Sequence, residues 1–328
     1  MKNNLNKIFI AFGIMTMTLG MVHAQNKEIS SYPNKPVRII VPLATGGAVD
    51  TMARMLAPSL QEILGQTIIV DNKPGAGGTI GANFVAKSPP DGYNILMVYD
   101  THAVNPHVYK SLPFDSFKDL TAVTELVKIP LVVVAGTKLP ANNLKELAEL
   151  AKSRPNGINF SSGGAGSSGH LAAELLKNSL GIEMTHIPYK GGGPALTATI
   201  SGEADITILG AVITVPQIKG GTLKPLAVLG KKRTPALPQT ATAMEQGVGS
   251  LDVSSWIGVL VPANTPQAII DKINSAFSQA MKNPAIQAKM IEQGNEVVAR
   301  LPSQYATLLS QETSKWATVI KDNNNQLE

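Results

Sequence analysis

What most constrains this chain is a unit it repeats: a short β-branched apolar run, a turn rich in glycine or hydroxyls, then apolar residues at helical spacing. Residues 37–43 lead through Ala44-Thr45-Gly46-Gly47-Ala48-Val49-Asp50 into a stretch where Met52, Met55, Leu56, Leu60, Ile63 and Leu64 share one face before Gly65. That spacing predicts a helix, and glycine is favoured just past a helix end. Residues 67–70 repeat the theme through Gly75-Ala76-Gly77-Gly78 into a helical pattern over 79–88. Residues 184–189 do so through Lys190-Gly191-Gly192-Gly193 into a helix begun by Pro194, a residue suited to a first helical turn. Further strands are expected at residues 93–99, 204–209 and 224–229. Strands alternating with helices imply βαβ units and a mostly parallel sheet.

The densest turn is Ser161-Ser162-Gly163-Gly164-Ala165-Gly166-Ser167-Ser168-Gly169-His170, between the β-like Ile158-Asn159-Phe160 and an amphipathic helix. Four serine hydroxyls and the unpaired N–H groups of a helix start converge there, which makes a ready anion site. Gly164, Gly166 and Gly169 also spell the dinucleotide fingerprint G-x-G-x-x-G. The fingerprint needs an acid at the end of the following strand, ~20 residues on. Glu183 instead precedes that strand, and the motif lies in mid-chain, so a nucleotide fold is set aside.

Between the repeats the character changes. Residues 122–127 and 130–135 read as extended chain with no glycine-rich turn after them, a passage from one lobe into another, and residues 251–261 read as the way back. An Asn142-Asn143 cap opens a helix in the second lobe. Helices over 266–282 and 303–321 form the tail, with shorter segments at 286–293 and 296–299. The lobes expected are 32–126 with 253–328, and 127–252.

Residues 1–24 stand apart. Lys2 and Lys7 precede an apolar run from Ile8 to Met21, and Val22-His23-Ala24 ends on a small residue, the pattern of a cleaved secretory signal. The run is shorter than the ~20 residues of a spanning helix. An exported, periplasmic chain is therefore expected, and its lack of cysteine leaves stability to packing. Setting the two signal lysines aside leaves a formal charge of +3, and aromatics are 5%. With no basic run longer than Lys231-Lys232-Arg233, nucleic acid is not an expected partner.

Catalytic and metal readings find little footing. No G-x-S-x-G nucleophile elbow occurs, and three successive residues such as Ser167, Ser168 and His170 at a helix start do not form a triad. His102 and His107 lack the spacing and carboxylate partner of a metal site. No cofactor is expected. Glycine- and hydroxyl-rich turns at strand ends remain, and in open α/β sheets ligands bind there. Asp50 reads either as a helix-start acid or as a group for a ligand ammonium, His170 as ligand donor or packed residue, and Tyr189 as core with its hydroxyl toward a cleft.

At these same turns the chain resembles a known family. Pro42-x-x-x-Gly46-Gly47-x-x-Asp50-x-x-Ala53-Arg54, Asp71-Asn72-Lys73-Pro74-Gly75-Ala76-Gly77-Gly78 and Pro90-Asp91-Gly92-Tyr93 are similar to motifs of the Bug/TctC proteins. So are His170-Leu171-Ala172-x-Glu174-Leu175, His186-x-Pro188-Tyr189-Lys190-Gly191 and Trp256-x-Gly258. These are periplasmic solute-binding proteins of tripartite tricarboxylate transporters. The resemblance implies an α/β, type II periplasmic-binding-protein fold: two Rossmann-like lobes joined by crossing strands, a ligand cleft between them. It implies a small carboxylate ligand, permease subunits as partners, and a monomer with no catalytic residue.

Carried over by position, the carboxylate-binding loops comprise Leu43, Ala44, Thr45, Gly46, Gly47 and Asp50, and Ser161, Ser162, Gly163, Ala165, Gly166, Ser167, Ser168 and His170. The rest of the pocket falls to Gly78, Thr101, His102, Asn105, Tyr189, Lys190, Gly192, Gly210 and Ala211. Two departures stand out: Thr45 where the family often has proline, and Leu209-Gly210 for a more usual Phe-Asp pair. Losing that acid leans the expected ligand toward a plain carboxylate over an amino acid. A sensory binding protein that feeds a signalling partner shares this fold and pocket, and an exported hydrolase is the remaining alternative.

Overall fold

The computed structural model describes residues 31–154, 157–249 and 251–322; the signal expected at 1–24 lies outside them. The chain begins β1 (Val37–Val41), α1 (Ala48–Leu64), β2 (Ile68–Asn72), α2 (Thr79–Ala86), β3 (Asn94–Tyr99) and α3 (Thr101–Val108), then enters the long strand β4 (Leu120–Gly136). Next come α4 (Leu144–Ser153), β5 (Asn159–Ser162), α5 (Ser168–Leu180), β6 (Thr185–Pro188), α6 (Gly192–Ser201), β7 (Ile206–Gly210), α7 (Ala211–Lys219) and β8 (Leu223–Leu229). The chain closes with β9 (Ser254–Pro262), α8 (Gln267–Met281), α9 (Pro284–Glu292), β10 (Glu296–Val297) and α10 (Pro302–Asp322).

The helices form for local reasons. In α1 the predicted face, with Met52, Leu56 and Leu60, is buried, and Gly65 ends the helix in the left-handed conformation at φ 68°. Pro58 is tolerated because it sits on the exposed side of the helix. Asn143 caps α4 by accepting from the Glu146 N–H at 2.8 Å, while the Glu146 carboxylate takes the Asn142 N–H. Helices α3 and α7 were not expected. Pro106 and Pro216 lie inside them, and Val212, Ile213, Thr214 and Val215 are β-branched.

The strands line up as β2-β1-β3-β9-β4-β7-β5-β6, with β8 and β10 also paired to β4. β1 is parallel to β2 and β3, and β5 is parallel to β6 and β7. The two parallel groups meet through β4. From Leu120 to Pro130 it pairs antiparallel with β9, and from Leu131 to Gly136 it pairs with β7 and β8. The two extended segments expected in 122–135 are thus one strand.

Apolar cores cover both faces of each half. In the first half Ile39, Leu56, Met97 and Phe277 pack on one face, and Ile40, Leu96, Trp256 and Tyr305 on the other. In the second half Phe160, Leu171, Leu176 and Ile208 pack beneath α4 and α5, and Val132, Val134, Leu209 and Val215 pack opposite. Helix α10 divides its apolar face: Tyr305 and Leu309 enter the first half, Trp316 and Ile320 the second. Helix α10, within the segment 253–328 expected in the first lobe, thus packs on both halves, and position 126/127 lies inside β4. The buried Glu125 is ion-paired to Arg300, and Thr124 and Asn274 donate to the Arg300 carbonyl at 2.7 and 3.0 Å, so the tail is fastened to β4.

Trp316 is 1% exposed, and its indole N–H donates to Glu312 at 3.0 Å. Trp316→Ala is expected to lower unfolding free energy by about 3–5 kcal/mol, the cost of truncating a buried aromatic. Urea unfolding followed by circular dichroism measures it.

Candidate functional site

Three second-half loops converge at the C-terminal ends of β5, β6 and β7. A Cβ on Gly163 would lie 3.3 Å from the Gly192 N, one on Gly164 3.3 Å from the Tyr189 carbonyl, and one on Gly192 3.2 Å from Ile213. Gly169 is tighter still, because any Cβ there would collide with the Ile208 carbonyl oxygen, so α5 is held directly against β7. The residues predicted at 161–170, 189–192 and 210–211 are therefore neighbours.

The side chains of the serine-rich loop do not project as the sequence suggested. Ser161 is fully buried, donating to the Ala195 carbonyl at 2.8 Å and lying 2.9 Å from the Thr199 hydroxyl. Ser162 accepts from the Gly164 N–H and sits 2.7 Å from His186 Nε2. Ser167 caps α5, accepting from the His170 N–H at 3.4 Å. Ser168, in the first turn, is 3.0 Å from Ser255 at the start of β9. All four hydroxyls are committed inside the protein. Among the described residues no hydrogen-bond partner appears for the N–H groups of Ala165, Ser168 and Gly169, so the donors left for an anion are backbone groups at a helix start.

His170 resolves as a support. Its Nδ1 accepts from the Gly166 N–H at 3.1 Å, and its ring stacks on His186 at 3.9 Å between centroids, with Phe160 behind at 4.8 Å from His186. Burial, with the nearby Lys177 charge, pushes His170 down to about 4; burial and the His170 neighbour do the same for His186. Both imidazoles are neutral near pH 7 and fasten Gly166 and Ser162 from behind. The Ser162–His186 pair has the separation of a nucleophile and base, but Ser162 is fully buried, out of reach of a substrate.

In the first half Leu43, Ala44, Thr45, Gly46 and Gly47 form the turn between β1 and α1, the last four exposed. Asp50 is turned back into this turn, accepting from the Gly46 N–H at 2.8 Å and from Arg54 Nε at 3.0 Å. Burial opposes its ionisation, but the hydrogen bonds from Arg54 and Gly46 outweigh it and hold the carboxyl below its usual range. Its charge is thereby answered within the protein. The N–H groups of Thr45, Ala48 and Val49 have no partner among the described residues, a second set of unengaged donors at a helix start.

The remaining first-half residues flank that turn. Gly78 lies beneath Pro42, and Asn105 donates to the Gly77 carbonyl at 3.1 Å, tying α3 to this loop. Thr101 opens α3. His102 faces the interior against Phe114, 5% exposed, with burial lowering it to about 4. Lys190 is exposed, and Tyr189 packs its ring on the cluster of Leu209 and Val215. Sequence reasoning missed two buried groups at the junction of the halves, Asp100 and Ser255. The signal present was an acid directly after a buried strand.

Two parallel α/β units that share a crossing strand, with turn and helix-start clusters at the strand ends, define a bilobal binding-protein fold. The family model described as the tripartite tricarboxylate transporter family receptor, TctC, matches residues 52–325. The chain belongs to this family of solute-binding receptors. Protein BugT of Bordetella pertussis is 34% identical over 99% of this chain and 100% of its own length. An R. palustris protein solved with adipate has a TM-score of 0.83 at 32% identity, covering 89% of this chain and 98% of its own. MatC from Rhodopseudomonas palustris, solved with malate, has a TM-score of 0.80 at 32% identity, covering 88% and 100%.

Two outcomes follow from this geometry. Gly169→Ala, which drives a methyl into the Ile208 carbonyl, is expected to displace the start of α5 and lower the thermal midpoint, measured by calorimetry. For Asp50, a folded-state pKa below the unfolded one means its contribution is full at neutral pH and lost as pH falls through the folded value. The stability gap between wild type and Asp50→Asn is expected to close on acidification below about pH 4, read from thermal midpoints across pH.

Proposed function

We propose that this protein is a periplasmic receptor that captures a small organic acid by closing its two lobes, then delivers it to the membrane permease of a tripartite tricarboxylate-type transporter. The observation that carries this reading is the paired set of unengaged N–H groups, Thr45, Ala48 and Val49 in one half and Ala165, Ser168 and Gly169 in the other, each at the start of a helix after a parallel strand. With neighbouring hydroxyls and Asp50 committed internally, the two turns offer backbone dipoles and, among the described residues 43–50 and 161–170, no arginine, a setting suited to carboxylate oxygens. The adipate and malate bound by two relatives agree with that chemistry.

Closure supplies the signal. A ligand that touches both helix starts binds the closed form more tightly than the open one, and only that difference shifts the population. A cleaved leader at residues 1–24 delivers the chain to the periplasm, where it acts as a monomer without cofactor or catalytic residue.

The test is the thermal midpoint of the chain from Gln25 onward against mono-, di- and tricarboxylates, aromatic acids and acidic amino acids. A ligand at 100 times its dissociation constant adds ~2.7 kcal/mol. A rise with one class of acid supports the reading, and a flat panel, with no co-purified ligand by mass spectrometry, overturns it. Ser167→Asp keeps a residue able to cap α5 while adding charge beside the anion. It is expected to abolish binding in titration calorimetry with the circular dichroism spectrum unchanged.

A further inference from the structure

Asp100 directly follows β3 at the junction of the two halves. It is 1% exposed, and neither carboxylate oxygen has a hydrogen-bond partner of ordinary geometry. Four elements press on it. The hydroxyls of Ser255 from β9 and Ser168 from α5 lie beside it and favour its charged form, as does the Thr101 N–H of its own helix. Glu312 of α10 opposes that charge, and is itself ion-paired to Lys315 at 3.5 Å. Tyr99, on the same strand, is a further titratable neighbour; its hydroxyl also reaches Gly210 of the other half, where a Cβ would be 3.4 Å away. The other neighbouring titratable side chain, His102, is neutral near pH 7.

Ser168 links this group to the ligand site. Its hydroxyl, 3.0 Å from that of Ser255, lies beside Asp100, while its N–H is one of the unengaged donors at the α5 start. An anion there and an ionised Asp100 would place two negative charges on either side of one residue in a region closed to water, and like charges in that setting drive one group to take a proton. We propose that Asp100 is a positioning residue for anion capture: it holds a proton whenever an anion occupies the first turn of α5, so that binding takes up one proton from solvent. The protonated carboxyl donates to Ser168 or Ser255 and fastens the α5 start to the crossing strand. The inference rests on the carboxylate reading above. Burial, which raises Asp100 to about 7, sets the pH range in which the linkage shows.

The sign follows from proton uptake. Above that range each anion bound must also bring a proton, so affinity falls as pH rises, by up to about tenfold per pH unit for one proton; below it affinity is flat. The experiment is titration calorimetry with the carboxylate that raises the thermal midpoint most, starting with adipate and malate, whose carboxylates stay ionised from pH 6 to 9. It is run in two buffers of different ionisation heat. Wild type is expected to lose affinity above about pH 7 with buffer-dependent heats that approach one proton per anion, whereas Asp100→Asn binds with neither a pH slope nor a buffer-dependent heat.

A flat wild-type profile, or a slope that survives in Asp100→Asn, overturns the proposal. Ser255→Ala keeps the carboxyl but removes a hydroxyl that favours its charge, so the pH at which affinity falls moves upward; an unmoved profile counts against it. Binding without pH dependence sinks only the role of Asp100, while absence of binding across the whole acid panel sinks the carboxylate reading and this inference together.

Discussion

Everything in this fold hangs on the pairing of β4 with β9. A strand of 17 residues serves first one half and then the other, so the two α/β units share backbone hydrogen bonds along it. Buried peptide groups must be paired, and β4 meets that demand through β9, β10, β7 and β8 in turn. Beside that strand, α10 packs on the cores of both halves.

The ligand end of the molecule follows from how its polar groups are disposed. Three of the four hydroxyls of the serine-rich loop are drawn inward by a partner from another element, Ser161 by α6, Ser162 by His186 and Ser168 by Ser255, while Ser167 caps α5. In the reading proposed above, such backbone dipoles take the carboxylate group and leave the remainder of the ligand to other contacts. Relatives with one fold and different diacids, adipate and malate, are in keeping with that division.

Much of this was legible in the sequence because the governing signals are local. The spacing of Met52, Leu56 and Leu60, the Asn143 cap and the glycines after β-branched runs each report on a few consecutive residues, and they located most strands and helices. Helices α3 and α7 escaped because Pro106 and Pro216 mimic breaks, and tertiary packing of Val104 and Val215 outweighs local preference. The internal bonds of the serine hydroxyls are illegible for a different reason. Their partners lie far along the chain, as with Ser168 and Ser255, 87 positions apart, and no local pattern encodes such a pair. The same holds for His170, whose support role depends on the stack with His186 and Phe160.

The shared tail has a consequence for how the chain comes to be folded. The core around Leu56 is closed by Ile257 and Phe277, and the core around Leu176 by Trp316 and Ile320. Neither half can finish its interior from the first 250 residues, so a nascent chain emerging in order has no completed core to collapse around until its last helix is available. Contacts of such long sequence separation slow folding. Under the export proposed above, that delay would keep the chain threadable until synthesis is over, and both lobes would form in a single late event.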